Sequence, residues 1–143
     1  MPYRYLEDIA IADAAFEAWG GSVEEMFVSA AEAAVNIMVG SLSTIRLRQY
    51  RHFRIRDSQI DMLLFQLLQE LIYYKDAEQL LLLVRNVRIE QDEEEWAALI
   101  EAAGEPIDPQ RHDLAVDIKA VTLHNLNVRQ TPQGWAATVT VDV

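Results

Sequence analysis

The sequence predicts an α+β fold, two helices packed with mainly antiparallel β-sheet, in a single domain spanning residues 1–143. Three observations carry that prediction. Apolar residues recur at helical spacing in only two stretches. Strand-like stretches outnumber them and do not alternate regularly with them, which argues against a parallel sheet built from βαβ units. The chain also closes on WAATVTVDV, where Trp135, Ala137, Val139, Val141 and Val143 share one parity and Ala136, Thr138, Thr140 and Asp142 the other. That two-residue period is the mark of a half-buried strand.

Taken in order, Arg4–Asp8 and Ala14–Trp19 are expected as strands flanking a short connection. The first helix opens on Ser22 and Glu25, an S-x-x-E capping box in which each partner satisfies an orphan backbone donor. Val23, Met26, Phe27, Ala30, Ala34, Ile37 and Met38 then follow the helical period, and Gly40 supplies the expected stop. Thr44–Arg56 reads as a long amphipathic strand. The second helix opens near Ser58, with Asp61 three residues on, and the wide apolar face from Ile60 to Ile72 predicts deep burial. Leu80–Glu90 begins as an unbroken aliphatic run suited to a strand covered on both faces. Glu95–Ala102 is ambiguous, helical by propensity but equally readable as a strand. Strands are expected at Leu114–Leu123 and Leu126–Gln130, the latter joined through TPQG to the final strand as a hairpin.

Composition narrows the function. The 143 residues suffice for a hydrophobic core without staples. No run approaches the roughly 18 apolar residues of a membrane helix. No targeting segment is visible, so a cytoplasmic protein is expected. The chain has no cysteine, which excludes disulfides, thiolate metal sites and cysteine nucleophiles. With 23 acids against 12 bases, a net charge of −11 does not favour gripping nucleic acid directly. One segment runs against this trend. In IRLRQYRHFRIR, the residues Arg46, Arg48, His52, Arg54 and Arg56 share a parity opposite Ile45, Leu47, Phe53 and Ile55. A solvated basic sheet face is the reading given priority; a docking surface for RNA or an acidic partner is the sharper one.

No phosphate-binding glycine loop, nucleophile elbow or zinc-protease helix occurs. His52, His112 and His124 lie on separate segments without ligand spacing, and nothing brings a Ser, His and Asp together. What remains is carboxylates at strand ends. Asp13 directly precedes AAFEAW, and Asp142 stands one residue before the final Val143. Together with the terminal carboxylate of Val143 they would form a set of hard oxygen donors suited to Ca²⁺, Mg²⁺ or Mn²⁺. Chemistry alone favours ordinary solvated aspartates at such positions.

A resemblance shifts that balance. ADAAFEAWG at 12–20, LLFQLLQELIYY at 63–74, GEPIDPQRHDL at 104–114, DIKAVTLHNLNV at 117–128 and GWAATVTVDV at 134–143 resemble, in order and over nearly the whole chain, the archease family. Archeases activate RtcB-type RNA ligases in tRNA splicing and RNA repair. The resemblance implies a divalent cation at Asp13, Asp142 and Val143, with Ca²⁺ expected in the isolated protein and Mg²⁺ or Mn²⁺ as alternatives. It also implies ligase-activating roles for Lys119 and Glu70. His112 matches the family's R-H-x-L turn and reads here as a loop-anchoring imidazole. Ala10 and Ile11 stand where the family has His-Thr, Leu67 where it has a helix tryptophan, and Ala15 where a glycine follows Asp-Ile.

The expected function is therefore a non-catalytic accessory protein that promotes guanylylation of an RtcB-type ligase, meeting RNA only through that enzyme and no membrane. The alternatives are a chaperone-like modulator of an RNA-modifying tRNA methyltransferase and, less favoured, a stand-alone metal-dependent phosphohydrolase.

Overall fold

The structure, a computed structural model, describes residues 2–7 and 13–143. It contains eight strands and two helices in the order β1 (Tyr3–Leu6), β2 (Asp13–Gly20), α1 (Val23–Met38), β3 (Gln49–Asp57), α2 (Ile60–Glu78), β4 (Leu80–Gln91), β5 (Trp96–Pro106), β6 (Ala120–Val121), β7 (Asn127–Thr131) and β8 (Gly134–Asp142). All strand pairings are antiparallel. They form a five-stranded sheet with neighbours β1-β2-β8-β6, in which β7 also pairs with β8, and a three-stranded sheet ordered β3-β5-β4. The expected α+β class is observed.

The helices lie between the sheets. α1 packs on β2 and β8 of the larger sheet and on β4 of the smaller one, while α2 packs on β3, β4 and β5 and reaches β6 and β7. A helix covered on two sides needs small residues so that both sheets can approach, and α1 buries Ala30, Ala31, Ala33 and Ala34. Phe16, Phe27, Leu63, Leu64, Leu67 and Ile100 are almost wholly removed from solvent, each such side chain contributing about 1.5–3 kcal/mol of transfer free energy. Among the described residues, no helix is long and apolar enough to cross a membrane.

Local chemistry explains the element ends. Ser22 Oγ accepts from the Glu25 N–H at 3.1 Å, as the capping box requires, but Glu25 reaches back to the Gly21 N–H at 2.9 Å rather than to Ser22. Gly40 does not stop α1 through a left-handed turn; Val39 is the cap, and the Gly40 N–H donates to the Asp113 carbonyl at 2.8 Å. α2 starts from Gln59, not Ser58, without a side-chain cap, and ends where Gln79 turns left-handed at φ 50°. Thr131 and Gly134 close the β7–β8 hairpin as the TPQG signal predicts.

Three expectations need correction or completion. The strand foreseen over Thr44–Arg56 begins only at Gln49, behind a 3-10 turn at Leu42–Thr44, because the Arg46 N–H is taken by the Glu105 carboxylate at 2.6 Å. The stripe's parity nonetheless holds: Arg46, Arg48, His52, Arg54 and Arg56 are exposed, and Ile45 and Ile55 are buried. The strand foreseen over Leu114–Leu123 shrinks to Ala120–Val121. Its first half spends its donors on α1, with Ala115 N–H to the Met38 carbonyl and Val116 N–H to the Ile37 carbonyl, so it caps the helix instead of joining a sheet. The ambiguous Glu95–Ala102 segment belongs to β5, the central strand of the smaller sheet, where pairing on both edges overrides helix propensity.

Candidate functional site

Asp13 is the first residue of β2 rather than its predecessor, and Asp142 is the last of β8; the antiparallel register sets them directly opposite each other. They lie on the parity opposite to Phe16, Val139 and Val141, which fill the core, so both carboxylates leave the sheet on its other face. On the far edge of β8, Ala120 pairs with Asp142, and the Lys119 N–H donates to the Asp142 carbonyl at 2.8 Å. Three segments remote in sequence thus meet at one end of the larger sheet. Asp13, Asp142 and Val143 are half-buried there, Lys119 is exposed, and the Val143 side chain packs on the core.

Directly opposed carboxylates, with Cβ atoms about 4.5–5.5 Å apart, disfavour one another, and a divalent cation between them reverses the sign of that interaction. The donor set is all oxygen, the chemistry of Ca²⁺, Mg²⁺ or Mn²⁺ rather than of zinc. Among the described residues no three His, Cys, Asp or Glu side chains cluster around one point, so a cation here would complete its shell with backbone oxygens and water. Ala10 and Ile11, which precede Ala12 and Asp13 in sequence, lie outside the described residues, as does Asp8 at the end of the first expected strand.

The segment bearing Lys119 is held by a residue that sequence reasoning missed. Lys75, near the end of α2, is buried, and its Nζ donates to Asp117 Oδ1 at 2.6 Å, to the Ile118 carbonyl at 2.7 Å and to Asp76 Oδ1 at 2.7 Å. Burial pushes its pKa down, but the hydrogen bonds to Asp117 and Asp76 more than offset this and hold it above the ordinary lysine value. Gln69 adds a second tie, its Oε1 accepting from the Val121 N–H at 3.2 Å. A signal was available for Lys75: the apolar ladder Leu64, Leu68, Leu71 continues at its next step onto a lysine.

Glu70 is not brought to this cluster by any hydrogen bond or ion pair among the described residues. It is half-buried and lies one turn before Tyr74, whose ring packs against Phe53 of the smaller sheet at 6.0 Å between centroids. His112 is the anchor it was expected to be. Its side chain is fully buried, Nδ1 accepts from the Asp108 N–H at 2.9 Å, and Nε2 faces Glu105 Oε2 at 3.0 Å. That pairing assigns the proton to Nε2. Glu105, also missed from the sequence, is itself buried and binds Arg111, the Arg46 N–H and His112. The Arg111 guanidinium holds its pKa down to about 2 against the opposing effect of burial, with the Arg46 N–H and His112 adding to the depression.

The comparisons with known proteins agree on one family. A family model described as "Archease protein family (MTH1598/TM1083)" matches residues 3–143. The chain is 32% identical over 142 residues to protein archease of Methanosarcina mazei, covering 99% of this chain and 95% of that one. It is 30% identical over 143 residues to protein archease of Methanopyrus kandleri, covering all of both. Among solved structures, protein 1598 of Methanobacterium thermoautotrophicum superposes with a TM-score of 0.85 at 26% identity, covering 99% of each chain. A Thermotoga maritima protein, described as an archease and possible chaperone, shares the fold with a TM-score of 0.58 at 20% identity, over 96% of this chain and 97% of that one.

Proposed function

The chain belongs to the archease family, and from that premise we propose that it is a metal-binding accessory protein that activates an RtcB-type RNA ligase in tRNA splicing and RNA repair. The observation that carries the reading is the Asp13–Asp142 pair, set opposite each other with the Lys119 backbone hydrogen-bonded to Asp142. It brings two carboxylates and the backbone of an exposed lysine to one end of a sheet.

The division of labour follows from charge. Asp13, Asp142 and the terminal oxygens of Val143 would hold a divalent cation, Ca²⁺, Mg²⁺ or Mn²⁺. Lys119, exposed and without an ion-pair partner among the described residues, would meet phosphate as GTP transfers its guanylyl group to the ligase. A positive charge placed where phosphoryl oxygens gain negative charge lowers the barrier. Glu70, from α2, is the second residue proposed to act on the ligase, on the strength of the family resemblance alone. RNA is met only through the ligase, as the net charge of −11 favours.

The test is guanylylation of the ligase by GTP and Mn²⁺, with and without this protein. Stimulation at substoichiometric amounts, lost in Asp142→Ala, is the expected result. No stimulation by the intact protein would overturn the reading. A second reading, a chaperone-like modulator of an RNA-modifying methyltransferase, draws on the exposed Leu114, Val116 and Leu123 of the segment leading to and from β6. It requires rescue of methyltransferase solubility or activity, with Asp142→Ala as effective as wild type.

A further inference from the structure

The smaller sheet presents a face that the candidate site does not use. β3, β5 and β4 cover the helices with one side; the other side is open over the rows of Leu99 and Glu101, while beyond them Glu105 is buried with Arg111 and His112. Register places Arg54, Leu99 and Arg88 in one row across that open side and His52, Glu101 and Asn86 in the next. Leu99 is 37% exposed between its two flanking arginines, above a shallow depression of about 420 Å³, and Tyr50 is 64% exposed one step along β3. Register puts Arg54, Arg56 and Arg88 on this side, and Arg46 and Arg48, just ahead of β3, continue its exposed parity; together they are five of the 12 basic side chains in a chain of net charge −11. Arg56 pairs with Glu95 and Arg88 with Glu90, but Arg46, Arg48 and Arg54 have no ion-pair partner among the described residues. A merely solvated face would be expected to share the acidic bias of the rest of the surface.

We propose that the open face of the β3-β5-β4 sheet is a docking surface for an acidic protein surface. Charge complementarity decides the sign of the occupant, since a basic patch on an acidic molecule steers a negatively charged partner to one orientation. Composition decides its class. Every cation on the face is arginine, and it stands with an exposed tyrosine around an apolar centre, the make-up of a protein–protein hot spot. Glu90, Glu95 and Glu101 lie among the arginines. They would repel a continuous phosphate backbone, whereas a protein surface can answer a mixed pattern charge by charge. On the reading proposed above, from which this inference takes its partner, the acidic surface belongs to the RNA ligase. The sheet face would then grip the enzyme while the Asp13–Asp142 end performs the activation.

The experiment measures binding of the RtcB-type ligase from the same organism to immobilised wild-type protein, Arg48→Glu/Arg54→Glu and Arg4→Glu, a charge reversal on β1 of the larger sheet, at low and at high salt. Unfolding midpoints of all three are measured first, since the reversed arginines are exposed and their reversal should leave the fold intact. The expected result is at least about tenfold weaker binding for the arginine double variant at low salt, with the gap closing as salt rises, and near-normal binding for Arg4→Glu. Equal affinity of the folded double variant and wild type at low salt would overturn the docking face while leaving the activator reading intact. No ligase binding by wild type would overturn both. A labelled 20-nucleotide oligouridylate is titrated in parallel. Binding of that RNA by wild type and its loss in the double variant, with ligase affinity unchanged, would reassign the face to nucleic acid and overturn the proposal.

Discussion

Lys119 and Glu105 are both charged, and their surroundings give them opposite roles. Lys119 is exposed, and among the described residues it makes only a backbone bond, which leaves its side chain to act on something outside the molecule. Lys119→Ala should abolish the stimulation of ligase guanylylation while shifting stability by no more than about 0.5 kcal/mol, the usual range for an exposed position. Guanylylation assays beside thermal melts check both halves. Glu105 is buried, and its oxygens serve Arg111, the Arg46 N–H and His112. Glu105→Gln should cost on the order of 3 kcal/mol, because Arg111 and His112 lose the charge they were arranged around. The pH dependence has a definite sign. A carboxyl held down to about 2 in the fold, from an ordinary value of 4.5, contributes its stability above that ordinary value and loses it as pH falls through the folded one. The gap in stability between wild type and Glu105→Gln should therefore narrow as pH is lowered from 4.5 towards 2, a trend that urea melts at successive pH values would read.

What could be read residue by residue follows from range. The parity of the last strand put Asp142 on the face opposite the core, and the structure agrees, because alternation is local. That Asp13 would face it follows from register, which the sequence encodes only through the match of two hydrophobic patterns across more than a hundred residues. Lys75 and Glu105 escaped notice for another reason. Each looks like an ordinary surface charge until the partner that encloses it, Asp117 or Arg111, is placed beside it.

Among the elements, the segment between β5 and β7 departs most from expectation. Its apolar residues suggest a strand, but the free carbonyls at the end of α1 compete for its donors and win over the first half. Only Ala120–Val121 then pairs with β8, and Lys75 and Gln69 of α2 hold the stretch that leads into it. Lys75→Met keeps the buried stem but removes the bonds to Asp117 and the Ile118 carbonyl. It should cost about 1–3 kcal/mol and speed amide exchange at Ala120 and Val121 more than in α1. Guanylylation should fall as the Lys119 segment loosens, although Lys119 itself is present. Uniform exchange rates across wild type and variant would show that the segment is held by β8 alone.

At the scale of the whole molecule, the candidate cation site and the arginine-bearing face lie on different sheets. Asp13 and Asp142 pair in the larger sheet, and Arg54, Arg56 and Arg88 lie on the open side of the smaller one. The α+β class was legible because helical and strand periods are strong local signals. The helices' place between two separate sheets was not, since the alanines of α1 read as one apolar stripe and their burial on two sides appears only once both sheets are in position. Calorimetric titration of Ca²⁺ and of Mn²⁺ into three proteins tests the cation site directly: the intact chain, Asp142→Ala and Asp13→Ala. One bound cation is expected for the intact chain, with affinity lower by about tenfold or more in both variants. Equal affinity in all three, or no cation bound by the intact chain, would contradict it.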